Sequence, residues 1–510
     1  MEKAIIPTDD DSRDNPSSQE ALPALTLAGA SSPLGVLDLV TTAETHHPIH
    51  WPVWKKWFIT IVYCALQTAI ALLSSSYISA ETPLQAKFGG STQVIALGQS
   101  LFIVGTAVGP SFLGPLSDIG GRKWVYVASI FVYGLCQIGC SLALNLPMVI
   151  IFMFFSGVAG STALCNVAGT ITDLFGNADN AGQPMGLFVM SANTGPSIGS
   201  VIGEWIADNP HMGLNWVFWI NVILAGAFSA GMACVPETLP RVVIARAAQG
   251  TQKHDTQEEQ EAQLASSAAE KMIAQSKVDI FKEIRFVTTM TFRIMFTEPI
   301  VTFLGLFNGF IYGLLFLYLD GIFDVFVVNN DLSIIGADLT YLNVVVGVVI
   351  MFVIFVPIQT VFYTRDRRNN GGVARPEARF LVSLVTVWGF PISLFWFAFT
   401  SKGNVSYWSP IIAGGLLNVV DPILWLSMLN YLTDSYPNVA ASAVAAFLIP
   451  SFLVAAGCVH IGIVMFDNLS TQWSFAVLAF VSLLVVAWVY LLYFWGPQLR
   501  KRSKLAKNPS

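Results

Sequence analysis

Asp421 is the only acidic residue set well inside an apolar run of this chain, about midway between Trp408 and Asp434, and Pro422 follows it. A carboxylate in such surroundings is costly and usually faces a cavity, where it carries a proton or pairs with a cation. The same dipeptide also fits a plainer role, an Asp beside a helix break made by Pro422. His460 is the second ionisable group in an apolar run, and a lone His there is more often a hydrogen-bonded core residue. Glu81 and Asp320 close such runs and suit a solvated mouth. Neutral polar side chains recur as well: Gln67, Gln99, Asn166 and Asn193 early in the chain, Asn308, Asn343 and Asn418 later. Tyr63, Tyr312, Phe316 and Trp425 accompany them. Amides for orientation and aromatic rings for apolar contact suit an amphipathic organic molecule. Each amide taken singly fits an interhelical hydrogen bond equally well.

Other chemistry finds no support. The six cysteines, Cys64, Cys136, Cys140, Cys165, Cys234 and Cys458, lie in apolar runs without metal spacing, as buried small hydrophobes do. No Gly-rich Lys motif for nucleotide phosphates and no zinc-type His/Glu spacing is present. No metal, cofactor or enzymatic activity is expected.

The elements that must hold these residues follow from composition. Of 510 residues 54% are hydrophobic and 11% charged, and mean hydropathy is +0.63. An ordinary soluble domain carries roughly 25% charged residues. Such a chain is neither a cytosolic enzyme, a nucleic-acid binder nor a disordered protein; its solvent is a bilayer. A spanning helix needs about 20 apolar residues. Twelve stretches qualify: 57–79, 93–115, 124–144, 147–172, 184–206 and 214–235, then 298–320, 339–362, 378–399, 408–432, 438–465 and 473–496. The expected fold is an all-α membrane protein of twelve transmembrane helices. Its parts are a disordered cytoplasmic tail (1–55), a six-helix bundle (56–235), a cytoplasmic central loop (236–296), a second six-helix bundle (297–496) and a cytoplasmic tail (497–510). Within the loop, Gln252–Lys277 is rich in Gln, Glu, Ala and Lys and suits a surface helix.

Charge sets the orientation. With both termini inside, 24 of 26 basic residues fall on the inner side, leaving Lys87 and Lys402 outside, as the positive-inside rule requires. The sequons at Asn404 and Asn468 then fall in outer loops, as glycosylation sites must.

An internal repeat is also visible. The fourth stretch ends in Ile171-Thr172-Asp173-Leu174-Phe175 and the tenth in Leu432-Thr433-Asp434-Ser435-Tyr436. The loop after the second stretch carries Asp118 and Gly120-Gly121-Arg122-Lys123; the loop after the eighth carries Arg365-Asp366-Arg367-Arg368. Two matched bundles of this kind place a substrate site between them, near mid-membrane, and rock about it.

Gly114-Pro115-Leu116-Ser117-Asp118-Ile119-Gly120-Gly121-Arg122-Lys123 resembles the G-x-L-x-D-x-x-G-R-[RK] signature of the major facilitator superfamily. The run Gly195-Pro196-Ser197-Ile198-Gly199, continued by Gly203, resembles an element of its drug:proton antiporter branch. Phe296-Thr297-Glu298-Pro299, Arg375-Pro376-Glu377-Ala378-Arg379 and Leu429–Pro437 resemble fungal members, so that the likeness spans about residues 50–500. The resemblance implies a gate in which Arg122 pairs with an acid such as Asp173 and Asp118 stabilises a helix N-terminus of the other half. Lys123, Gly114, Gly121 and Asp434 belong to the same expected gate. Gly195, Gly199 and Gly203, spaced by four, allow close helix approach, and Pro196 softens the helix. The resemblance further implies export of a small amphipathic compound (drug, toxin, secondary metabolite or polyamine) across the plasma or vacuolar membrane. It implies coupling to protons, with the protein embedded as a monomer in lipid and without nucleic acid. Asp421, His460, Gln67, Asn166, Asn193, Asn308, Tyr312 and Asn418 are the expected cavity. One departure bears on coupling: Met153 stands where these antiporters carry a buried Arg. It favours the alternatives, an uncoupled facilitator or importer; a transporter-like receptor is a third reading.

Overall fold

A computed structural model describes residues 46–506 except 177, 208, 210, 253–284, 286–287, 372–374, 437–438 and 504. Most of the N-terminal tail and of the Gln252–Lys277 segment lies outside the described residues. The first part of the chain forms α1 (Val53–Phe88), α2 (Thr92–Val108), α3 (Pro110–Gly120), α4 (Arg122–Ser141), α5 (Leu146–Phe175), α6 (Ala178–Ala207), α7 (Leu214–Cys234) and α8 (Pro240–Gln252). The second forms α9 (Pro299–Asp320), α10 (Ile334–Leu339), α11 (Leu342–Ile350), α12 (Val356–Asn369), α13 (Ser383–Thr386), α14 (Gly389–Thr400), α15 (Trp408–Ser435), α16 (Ala440–Asn468) and α17 (Thr471–Arg502). Single π-turns at Asp324–Val328 and Met351–Phe355 adjoin α9 and join α11 to α12. Among the described residues there is no strand.

Sequence sets the breaks. Asn145 caps α5, its Oδ1 accepting from the Met148 amide at 3.0 Å, which satisfies one orphan N–H of the first turn. Pro110 lacks the amide that would join α3 to α2, and the pair bends by 41°. Pro422, by contrast, breaks nothing: α15 runs through it for 28 residues, and Asp421 sits within a continuous helix.

Ten described helical segments are long and apolar enough to cross a membrane, eleven if α2 and α3 form one span. The expected span 184–206 lies in α6, which is not among them. The reason is its surroundings: α6 presents Gly, Ser, Asn and Thr because it meets other helices on most sides and needs few lipid-facing side chains. Elsewhere Phe131, Ile151, Phe155, Phe399 and Phe480 are exposed. Such a surface is a liability in water and the solvated face in lipid.

Packing repeats along the chain. α1 lies along α6 as α9 lies along α16, α2 against α5 as α11 against α15, and α4 against α7 as α14 against α17. Two large apolar clusters follow, one drawn chiefly from residues 59–235 and one from 294–492. They meet where α2 packs on α16 and α6 on α11 and α12.

Candidate functional site

A cavity of about 160 Å³ lies between the two sets of helices, close to the size of an engineered void of about 150 Å³ that admits benzene. Helices α1, α2, α5 and α6 form one wall; α9, α11, α15 and α16 form most of the other. Gln67 and Asn193 come from the first wall, Asn308, Tyr312, Asn418 and Asp421 from the second. Gln99, Phe316, Trp425 and Phe452 line it too, beside the hydroxyls of Ser75, Thr106, Ser197 and Ser200. Asn166 and His460 are not among the residues that line it. Asn166 is buried in α5, where Cys165 Sγ lies 3.2 Å from its Oδ1. Met153 is 1% exposed and packs in the first apolar cluster, which leaves no solvated space for a charge at that position.

The lining begins near the middle of α1 and α9 and extends toward the end of the bundle that carries Lys87 and Lys402. Toward the opposite end, which carries Arg122 and Arg379, the walls close. The Phe188 and Trp425 rings meet at 5.9 Å. A Cβ built on Gly186 of α6 would stand 2.8 Å from Val356 of α12.

Two buried ion networks occupy that closed end. Arg122 Nε donates to Asp173 Oδ2 at 2.7 Å, and its Nη1 reaches Asp118 Oδ1 at 2.8 Å and Ser117 Oγ at 3.1 Å. The guanidinium lies across Gly169, where a Cβ would fall 2.7 Å from Nη2. Among the described residues Asp118 pairs with Arg122. Lys123 Nζ lies 5.5 Å from the Trp124 ring. In the second set of helices Arg379 Nε donates to Asp434 Oδ2 at 2.8 Å. Tyr363 places its ring 3.5 Å from the same guanidinium and its hydroxyl donates to Asp434 at 3.3 Å. Arg500 and Glu377 pair at 2.8 Å, both almost fully buried. Breaking such a pair strands a charge in low dielectric, whereas keeping it requires good geometry on both sides.

Glu237, which follows α7, is a residue that sequence reasoning missed. Its carboxylate accepts the backbone N–H groups of Arg122 and Lys123 at 2.9 and 3.3 Å, and those of Thr238 and Leu239 at 3.0 Å each. It thus holds the first turn of α4, where donors lack intrahelical partners. Gly121 is required for this approach: its φ is +96°, and a Cβ there would stand 2.6 Å from Glu237 Oε2. Gly114 and Gly120 have open space instead. Gly121→Ala is expected to cost about 1–3 kcal/mol, the usual penalty for such a backbone, and to appear as a lower melting temperature of the purified protein.

Gly195, Gly199 and Gly203 all face α1. A Cβ on them would stand 2.6 Å from Thr68 O, 2.1 Å from Leu72 O and 2.9 Å from Ser79 Oγ. Pro196 turns the other way and lines the cavity.

His460 joins α16 to α2. Its Nδ1 is 2.7 Å from Gln93 Oε1 and its Nε2 is 2.9 Å from Ser100 Oγ. The amide oxygen has no proton, so Nδ1–H donates, and a neutral ring then accepts the Ser100 hydroxyl proton at Nε2. His460→Leu removes both bonds, at about 1 kcal/mol each. Faster amide hydrogen exchange in the first turns of α2 is the expected result.

Asn404 is exposed between α14 and α15, and Asn468 is the exposed last residue of α16.

The Major Facilitator Superfamily profile matches residues 57–459. An uncharacterized transporter of Schizosaccharomyces pombe is 49% identical over 91% of this chain and 83% of its own. A vitamin B6 transporter of the same yeast is 40% identical over 93% and 87%. An efflux pump of Trichophyton rubrum is 30% identical over 91% and 76%. The solved structure of the proton:xylose symporter XylE superposes with a TM-score of 0.60 at 15% identity, covering 87% of this chain and 97% of that one. With its fold, its profile match and its full-length relatives in agreement, the chain belongs to the major facilitator superfamily and is a multi-pass membrane transporter.

Proposed function

We propose that the chain exports a small amphipathic organic compound by alternating access, in the manner of the drug:proton antiporter branch. The cavity carries this reading: both sets of helices line it, and it joins amides, aromatic rings and one carboxylate. In this scheme α6 counts as the fifth of twelve spans, in two bundles at 56–235 and 297–496. The bundles rock about the cavity, and the networks around Arg122 and Arg379 open and close one face. Asp421 carries the coupling proton. The face rich in basic residues is cytoplasmic by the positive-inside rule, with both termini inside and Asn404 outside as a glycan acceptor. A monomer in the plasma membrane is the working unit.

A second reading has its own support. The 40% identical relative is named a vitamin B6 transporter, while the efflux pump stands at 30%. Met153 also occupies the place of the Arg credited with proton handling. On that reading the chain takes up a small heteroaromatic solute without coupling. Proteoliposomes holding the full chain separate the two. Flux of amphipathic compounds and of B6 vitamers is followed with and without a pH gradient. Gradient-driven counterflow is expected. Equal flux in both conditions overturns antiport and leaves the facilitator; absence of flux for every compound overturns both.

A further inference from the structure

The cavity is lopsided in charge. Among the described residues that line it there is no Lys, Arg or His, and Asp421 is the one carboxylate. Asp421 is 5% exposed, and no described residue pairs with it or donates to it. Partnerless carboxylates inside a membrane protein are expensive to keep ionised, so either a proton or a cation that enters the cavity neutralises this one.

The amides add to the imbalance. Asn193 spends its Nδ2 on Val189 O at 2.8 Å, and Asn418 spends its Nδ2 on Gly414 O at 2.8 Å. Since each nitrogen must face a carbonyl, each side-chain oxygen is left for other use. The Gln67 and Gln99 side-chain oxygens are buried and lack a donor altogether. The cavity therefore offers acceptors from α1, α2, α6 and α15 in addition to the Asp421 carboxylate. A buried acceptor without a donor costs about 1–3 kcal/mol, which a ligand rich in N–H groups recovers.

Aromatic groups complete the surface. Tyr312 meets Phe316 edge-to-face at 5.1 Å and Phe452 at 5.6 Å, with all three on the cavity wall. Trp425 lies one helical turn beyond Asp421. Ring faces attract cations as well as flat apolar bodies. An inorganic divalent ion is a poor fit, because it asks for six or more oxygen ligands held close together, and no cluster of metal-ligating side chains exists among the described residues.

From these observations we infer that the cavity is selective for an organic cation, a protonated primary or secondary amine on an aromatic body, with Asp421 as its counter-charge. The ammonium N–H groups donate to Asp421 and to the unpaired amide oxygens. The ring system lies among Tyr312, Phe316, Trp425 and Phe452. This rests on the transport reading above and narrows its substrate class.

The test uses pairs that share an aromatic body and exchange an ammonium for a neutral hydroxyl: benzylamine and benzyl alcohol, naphthylmethylamine and naphthylmethanol, tryptamine and tryptophol. Binding to the full chain in lipid nanodiscs is measured at neutral pH by isothermal titration. At least about a tenfold preference for each amine is expected, equivalent to about 1.4 kcal/mol. In Asp421→Asn the preference should fall to near unity, chiefly through weaker binding of the amines. Asp421→Glu, which keeps the charge, should retain it and guards against a loss caused by misfolding. Alcohols binding as tightly as amines, an amine preference that survives Asp421→Asn, or no binding by any pair overturns the inference. Flux distinguishes this from failure of the transport reading. A protein that moves amines and alcohols equally across vesicles keeps transport and loses charge selection. One that binds amines through Asp421 yet moves nothing does the reverse.

Discussion

Asp421→Asn is expected to lower flux by at least about tenfold, a loss of about 1.4 kcal/mol in the limiting step, while the melting temperature stays level or rises. The two readouts move apart for a physical reason. Asp421 has no partner among the described residues, so removing its charge breaks no bond in the fold and relieves the burden of burying it. A structural carboxylate behaves differently, because its loss strands a guanidinium. Measurement of flux in proteoliposomes beside the thermal unfolding of the same preparation checks this. Full flux in the variant removes Asp421 from the transport step, and a large fall in melting temperature assigns it to the fold instead.

The opposite pattern is expected for Arg122→Ala. The guanidinium joins Asp118 and Asp173 and is 7% exposed. Its removal leaves Asp173 buried without its partner, a loss of about 3–5 kcal/mol in comparable buried pairs. Less protein in the membrane and a markedly lower melting temperature should follow. Arg122→Ala combined with Asp173→Ala should recover part of the loss, since the carboxylate left alone is then Asp118, whose side chain is 39% exposed. A double variant as unstable as the single one would show that the guanidinium acts through packing across Gly169 rather than through charge. The equivalent pair of variants at Arg379 and Asp434 should behave alike, with the additional loss of the Tyr363 ring contact.

Much of this was readable from residue order. Composition required a bilayer, and the nearness of Arg122 and Asp173 followed from a loop signature and a helix end. Asp434 was readable through the repeat, yet its partner was not. Arg379 lies 55 residues away, in the Arg375–Arg379 run, whereas the repeat points to the loop at Arg365–Arg368. Charge type alone cannot choose among five arginines in one loop. Glu237 was invisible for another reason: it serves backbone N–H groups, and those carry no sequence label. His460 is hydrogen-bonded at both ring nitrogens, the commoner role of a lone His in an apolar run, but its ring partners lie on α2, more than 350 residues away, and no local spacing announces such a bond. The span in α6 is less apolar because neighbouring helices, more than lipid, surround it.

The glycine face of α6 has a mechanical meaning. With three successive turns of α6 pressed on α1, only small side chains such as Ala71, Ser75 and Ser79 lie between the two helices, and interiors this dense yield little to strain. The pair behaves as one stiff plank. Gln67 and Asn193, one on each helix, are therefore held in place on one wall of the cavity by this packing. Any adaptation of the chamber to ligands of different girth must come from across the gap, where Tyr312, Phe316 and Phe452 can turn their rings.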